Sequence, residues 1–104
     1  MNFQAVLATL PTIDGISQIE VLNGEQVIHR IFAVEGKLGS LKVYNALAQQ
    51  FDAELTVTAA EQGLAWFAEH TQDAKENPGK HPNIDFLLNL IAHNQAFKLR
   101  VIRA

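Results

Sequence analysis

Cysteine is missing from this 104-residue chain, and methionine, tryptophan and tyrosine occur once each. Without a thiol there is no disulfide, no zinc-thiolate or iron-sulfur centre and no cysteine nucleophile. Basic charge is also scarce: eight Lys and Arg stand against eleven Asp and Glu, for a net charge of -3. Releasing counterions from a phosphate backbone needs a basic stripe, so nucleic acid is not an expected partner. Long apolar runs are lacking too, and no segment approaches the ~18 residues of a membrane span. The opening M-N-F-Q-A-V-L-A-T-L-P has no basic n-region. These absences predict a soluble, cytoplasmic protein with no membrane partner and no bound cofactor.

What is present is enough for one core. At 48% hydrophobic residues, the length suits a single domain over residues 1–104. Phe3, Val6, Leu7 and Leu10 recur at helical spacing until Pro11 ends the run, predicting a helix over 3–10. Alternation over 16–22, the pair Asn23-Gly24 and a β-branched stretch over 26–34 predict a hairpin. With Asn23 and Gly24 as its central residues, Ile19 faces Ile28, Ser17 faces Arg30 and Gln18 faces His29. The second strand, V-I-H-R-I-F-A-V, is apolar on both faces toward its end, which reads as a central strand.

Beyond a glycine-punctuated loop, Ser40 is the expected N-cap of a helix carrying Leu41, Tyr44, Leu47, Ala48 and Phe51 on one face. Residues 54–57 read as a short strand, and Thr58 with Glu61 as a capping box for a helix reaching about Glu76. Asn83 is the expected cap of a last helix over 84–93, with Asp85 in its first turn. Phe97, Leu99 and Val101 alternate with Lys98 and Arg100 in a closing strand. The expectation is an α+β fold in two layers: a mixed sheet of about four strands with an N-terminal hairpin and three to four helices. A right-handed parallel crossover spans 27–57. Lys98, Arg100 and Arg103 on an edge strand would discourage sheet-to-sheet pairing, or Arg103 and Lys98 would instead meet Glu20, Glu25 or Glu54 on a neighbour.

Chemistry-bearing residues concentrate in a few places. In E-G-K-L-G-S, residues 35–40, helix-start N–H groups and the Lys37 ammonium suit an anion. A P-loop is excluded, because Ile31 stands where a glycine is needed and Leu38 where a hydroxyl is needed. The plain alternative is two turn glycines ahead of a capped helix. Gly39-Ser40 lacks the nucleophile-elbow pattern, and no catalytic residue is assigned.

On the helix following residue 59, Trp66, His70 and Asp73 form a second stripe beside the core stripe of Leu64, Phe67, Thr71 and Ala74. His70, Asp73 and His81, with Asp85, offer nitrogen and oxygen ligands for a divalent metal. Alternatively Asp73 orients His70 as a base. The structural account has Trp66 closing a core edge while His70 and Asp73 hydrogen-bond to the loop around His81. In that loop, E-N-P-G-K-H-P-N-I-D, Lys80 and His81 bring positive potential to the start of the last helix, while two prolines alone would make a rigid connector. Lys37, Trp66, His70, Asp73, Lys80 and His81 are therefore the candidate ligand-binding residues.

The words E-G-K-L-G-S-L-K-V-Y-N-A-L, F-A-E-H-T-Q-D-A and P-G-K-H-P-N-I-D resemble a family of short bacterial proteins of unknown function. The likeness falls on Gly36, Lys37, Tyr44, Asn45, His70, Asp73, His81 and Asn83. It implies a bacterial, cytoplasmic protein and carries no activity with it. The greasy last helix and central strand, together with the lack of a catalytic motif, point to a non-catalytic interaction domain, self-associating as a homodimer or binding a protein partner. The alternative is a small ligand- or metal-binding protein or enzyme using the His/Asp cluster around residues 76–85.

Overall fold

The structure is a computed structural model that describes residues 2–104. Its elements run α1 (Phe3–Leu7), β1 (Ile16–Asn23), β2 (Gln26–Phe32), α2 (Leu38–Gln50), β3 (Glu54–Leu55), α3 (Val57–Phe67), α4 (Glu69–Glu76), α5 (Pro82–Ala92) and β4 (Phe97–Arg103). The fold is α+β, with four strands in the order β2-β1-β4-β3.

Every strand pair is antiparallel, so the expected mixed sheet and parallel crossover are not formed. β2 lies at an edge, not at the centre, and β4 lies between β1 and β3. The hairpin turn sits one residue later than the Asn23-Gly24 reading. Asn23 pairs with Gln26, leaving Gly24 and Glu25 central, and Gly24 takes the positive φ of 64° that such a turn requires. A register shift between Val21 and Leu22 then moves the pairing again, so Ile19 faces Ile31, Gln18 faces Phe32 and His29 faces Val21.

Helix boundaries also differ from expectation, and the described residues form five helices. Thr56, not Thr58, caps α3, its side chain accepting from Ala59 N–H at 3.2 Å. α2 starts ahead of Ser40 and has no side-chain cap. His81 occupies the N-cap position of α5, Pro82 opens the helix, and Asn83 lies inside its first turn. The single helix expected to run to Glu76 is broken at Ala68, whose φ of 54° and ψ of -124° are foreign to a helix.

The helices cover one face of the sheet. α2 crosses all four strands, burying Leu41, Val43, Tyr44 and Leu47 against Ile19 and Val21 of β1, Ile31 of β2 and Leu99 of β4. A fully buried side chain of this kind contributes roughly 1.5–3 kcal/mol. α3 packs closely on α2 and α5 at Gly63, where an added Cβ would lie 2.8 Å from Leu87 Cδ1 and 3.0 Å from Leu47 Cδ1. Phe86, Leu88 and Ile91 of α5 pack against this same core, which accounts for that helix's apolar circumference within one chain.

The other face of the sheet carries no helix among the described residues and holds a charge ladder. Glu20 of β1 lies between Arg30 of β2 and Arg100 of β4, at 3.3 Å from Arg30 Nε and 2.6 Å from Arg100 Nη2. Lys98 pairs with Glu54 of β3. Lys98 and Arg100 of the cationic row on β4 thus find Glu54 and Glu20 inside their own sheet. The Arg100 hydrogen bond, helped by Arg30, holds the Glu20 carboxyl below the usual carboxylate range despite its burial.

Candidate functional site

Four of the six candidate residues meet in one cleft of about 370 Å³. Lys37 arrives at the start of α2, His70 on the first turn of α4, and Lys80 and His81 on the loop leading into α5. The break at Ala68 explains how His70 reaches this place, because α4 leaves α3 in a new direction. It also separates Trp66 from the group, since the i, i+4 relation does not hold across a broken helix. Trp66 lines a different depression, with Thr9, Leu10, Pro11, Ala46 and Gln49. The core stripe survives the break, and Thr71 Oγ donates to the Leu64 carbonyl at 2.6 Å to fasten α4 to α3.

Asp73 stands behind the cleft and organises its rim. Its Oδ2 accepts from His81 Nε2 at 2.6 Å and from Lys80 Nζ at 2.9 Å. The His81 hydrogen bond, with Lys80 second, brings the Asp73 pKa down to about 2. Because a carboxylate only accepts, His81 carries its proton on Nε2, and Nδ1 has no partner among the described residues. The His70 and His81 rings lie 5.5 Å apart, tilted by 49°. Asp85 accepts instead from Gly79 N–H at 2.9 Å, closing the turn ahead of α5. Among the described residues no three His, Asp or Glu side chains are placed to hold a metal, so His70, Asp73 and His81 do not converge as a ligand set.

The apolar wall comes from the first helix. Phe3 stacks on Phe67 with centroids 5.7 Å apart and meets the His70 ring edge-on at 4.9 Å. Its N–H donates to Glu69 Oε1 at 2.8 Å, tying α1 to α4. The N–H of Glu69 itself, and then that of Phe3, lower the Glu69 carboxyl pKa. Gly39 permits this approach, since a Cβ there would lie 3.0 Å from Phe3 Cε2. Leu7, Leu38 and Ile84 complete the apolar lining.

Two helix N-termini open on the cleft. At α2 the N–H groups of Leu38, Gly39 and Ser40 have no partner among the described residues, the first helical bond being Leu41 N–H to the Lys37 carbonyl at 3.0 Å. At α5, Asn83 and Ile84 line the opposite side. Among the described residues no acidic one lines the cleft. An arrangement of cations and free N–H groups beside aromatic carbon suits a ligand with an anionic head and an apolar body. Sequence reasoning missed Phe3, Phe67 and the side-chain role of Asn83. Phe3 and Phe67 carried only the signal of helical core positions, and Asn83 was masked by its resemblance to a cap.

A family described as "Uncharacterized protein conserved in bacteria (DUF2322)" matches residues 3–101, and the chain belongs to it. No curated protein and no solved structure matches it significantly. Among the described residues no helix is long and apolar enough to cross a membrane.

Proposed function

We propose that this DUF2322 chain is a small, non-catalytic binding protein whose cleft takes an organic oxyanion by its head and packs the apolar remainder on Phe3 and Phe67. One observation carries the reading: the lining joins Lys37, Lys80, His70, His81 and the open start of α2 to an aromatic wall, with no acidic residue among them. The absence of cysteine suits a cytoplasmic setting. The test is an NMR titration with hexanoate and with phenyl phosphate. Saturable shifts confined to residues 38–40, His70, His81 and Asn83 are expected. Shifts spread over the sheet instead, or no saturation, would remove the reading.

Self-association has separate support. Ile28 and Phe32 on the edge strand β2, and Val34 just after it, are 37%, 50% and 52% exposed. An apolar edge strand can pair with a second copy. Sedimentation velocity across a concentration series checks this, and a constant monomer mass at the highest concentration would end it.

A further inference from the structure

We infer that the cleft takes up its anion together with a proton held on the His70–His81 pair, so that loading tightens in mild acid and loosens in mild alkali. This deepens the anion reading of the cleft and rests on it. Histidine is the side chain whose charge ordinarily changes between about pH 5 and 8. The chain has four, and two of them line this one cleft with their ring centroids 5.5 Å apart. A head group lodged against one ring is therefore close to the other.

A second proton on either ring has no acceptor waiting for it in the protein. The charged imidazole donates from both nitrogens. His81 engages Asp73 Oδ2 through Nε2 at 2.6 Å, and its Nδ1 has no partner among the described residues. His29 meets Asn83 Oδ1 at 2.8 Å and His93 the Asn89 carbonyl at 2.9 Å, but no hydrogen bond among the described residues holds His70. Its ring meets Phe3 edge-on at 4.9 Å and the tilted ring of His81.

The charges around the pair leave the acceptor's role to a ligand. On α4, Asp73 stands behind His81, and Glu69 accepts from the Phe3 N–H; neither lines the cleft. With its pKa of about 2, Asp73 keeps its charge through the whole neutral range. Asp85 of α5 accepts from the Gly79 N–H. The start of α2 brings Lys37 to the lining, and the loop ahead of α5 brings Lys80, which Asp73 engages at 2.9 Å. Among the described residues α1, α3 and α5 bring uncharged side chains alone, Phe3, Phe67 and Asn83 among them. An anion attracts an imidazolium and hardly a neutral ring, so proton and anion each tighten the other by the same factor.

The experiment follows the histidine ring protons of the full chain by NMR through pH, first alone and then saturated with hexanoate or with phenyl phosphate. His70→Gln and His81→Gln assign the signals. Saturation should raise the midpoint of His70, of His81 or of both by about one pH unit, a coupling of about tenfold. His93, beyond α5 and outside the lining, should stay where it was. Hexanoate, whose own charge is constant over this range, should bind several-fold tighter near pH 6 than near pH 8, and the double variant His70→Gln/His81→Gln should lose that gain. A merely structural pair would change stability and leave the pH profile alone. If an anion saturates the cleft with both midpoints unmoved, or if the double variant keeps the gain, the inference falls while the cleft reading stands. If neither anion saturates at any pH, both fall. Should a glutamine variant fail to fold, the contact of the His70 ring with Phe3 assigns the signals and the wild-type midpoints decide alone.

Discussion

The open face of the sheet and the cleft both gather charge, but they close their accounts differently. On the sheet each carboxylate has its cation: Glu20 lies between Arg30 and Arg100, and Glu54 meets Lys98. In the cleft, donors are left over. Asp73 engages Lys80 and His81 from behind, while Lys37 and the N–H groups at the start of α2 have no acceptor among the described residues. Matched charge on an exposed face helps fix strand register and adds little stability. A surplus of donors beside an apolar wall suits a binding site, because an anionic head can take those donors over from water while its apolar part is covered.

The difference can be broken from either side. Phe3→Ala should have the largest effect, a loss of about 3 kcal/mol in denaturant unfolding, because it removes a buried ring stacked on Phe67 and undoes the docking of α1. A cost near zero would mean that α1 does not hold the cleft wall. Tyr44→Phe should cost about 1 kcal/mol, since the Asn83 carbonyl loses one hydrogen bond at an otherwise apolar place.

Acid should separate the two charge clusters more gently. Asp73 has an ordinary pKa of 3.8 and a folded-state value of about 2, so its pairing stabilises the fold fully above about pH 4. That contribution fades as the pH falls toward 2, because the unfolded chain binds the proton first. Melting curves recorded through that window should flatten in Asp73→Asn. Glu20 is displaced in the same direction, and its share should weaken further in 1 M salt, about a 3 Å screening length, because both arginines are half exposed. Smallest of all should be Phe32→Ala, within about 0.5 kcal/mol for a half-exposed position. Its value lies in the oligomer: a monomer obtained only with this variant would tie self-association to β2.

How much of this was legible in the sequence depended on whether a pattern spoke of one strand or of its neighbours. Alternation in β4 correctly announced burial on one face, but an alternating strand can sit inside a sheet whose other face is open, as β4 does. The apolar stretch of β2 suggested a central position, whereas its excess is spent on exposed Ile28 and Phe32 at an edge. The register failed first at the turn, where Gly24 and Glu25 are central, and again at Val21/Leu22, because nothing local announces a bulge. In the site, the loop through Pro78 and Pro82 was legible because proline and glycine have few conformations to choose from. Trp66 was misassigned because alanine at position 68 favours helix, so nothing local announces its positive φ.

That alanine has a consequence for motion. A non-glycine residue held at such angles stores of the order of 1–3 kcal/mol of backbone strain. The strain is released when α4 detaches, and α4 is eight residues long with only Ala74 buried. α4 should therefore open as a local unit while α3, locked at Gly63 between Leu47 and Leu87, stays closed. Amide hydrogens of residues 72–76 would then exchange well before those of α3, and His70 would leave the cleft with them. The joint at Ala68 sets a clock for admission to the cleft, one that Ala68→Gly would slow without altering a single lining side chain.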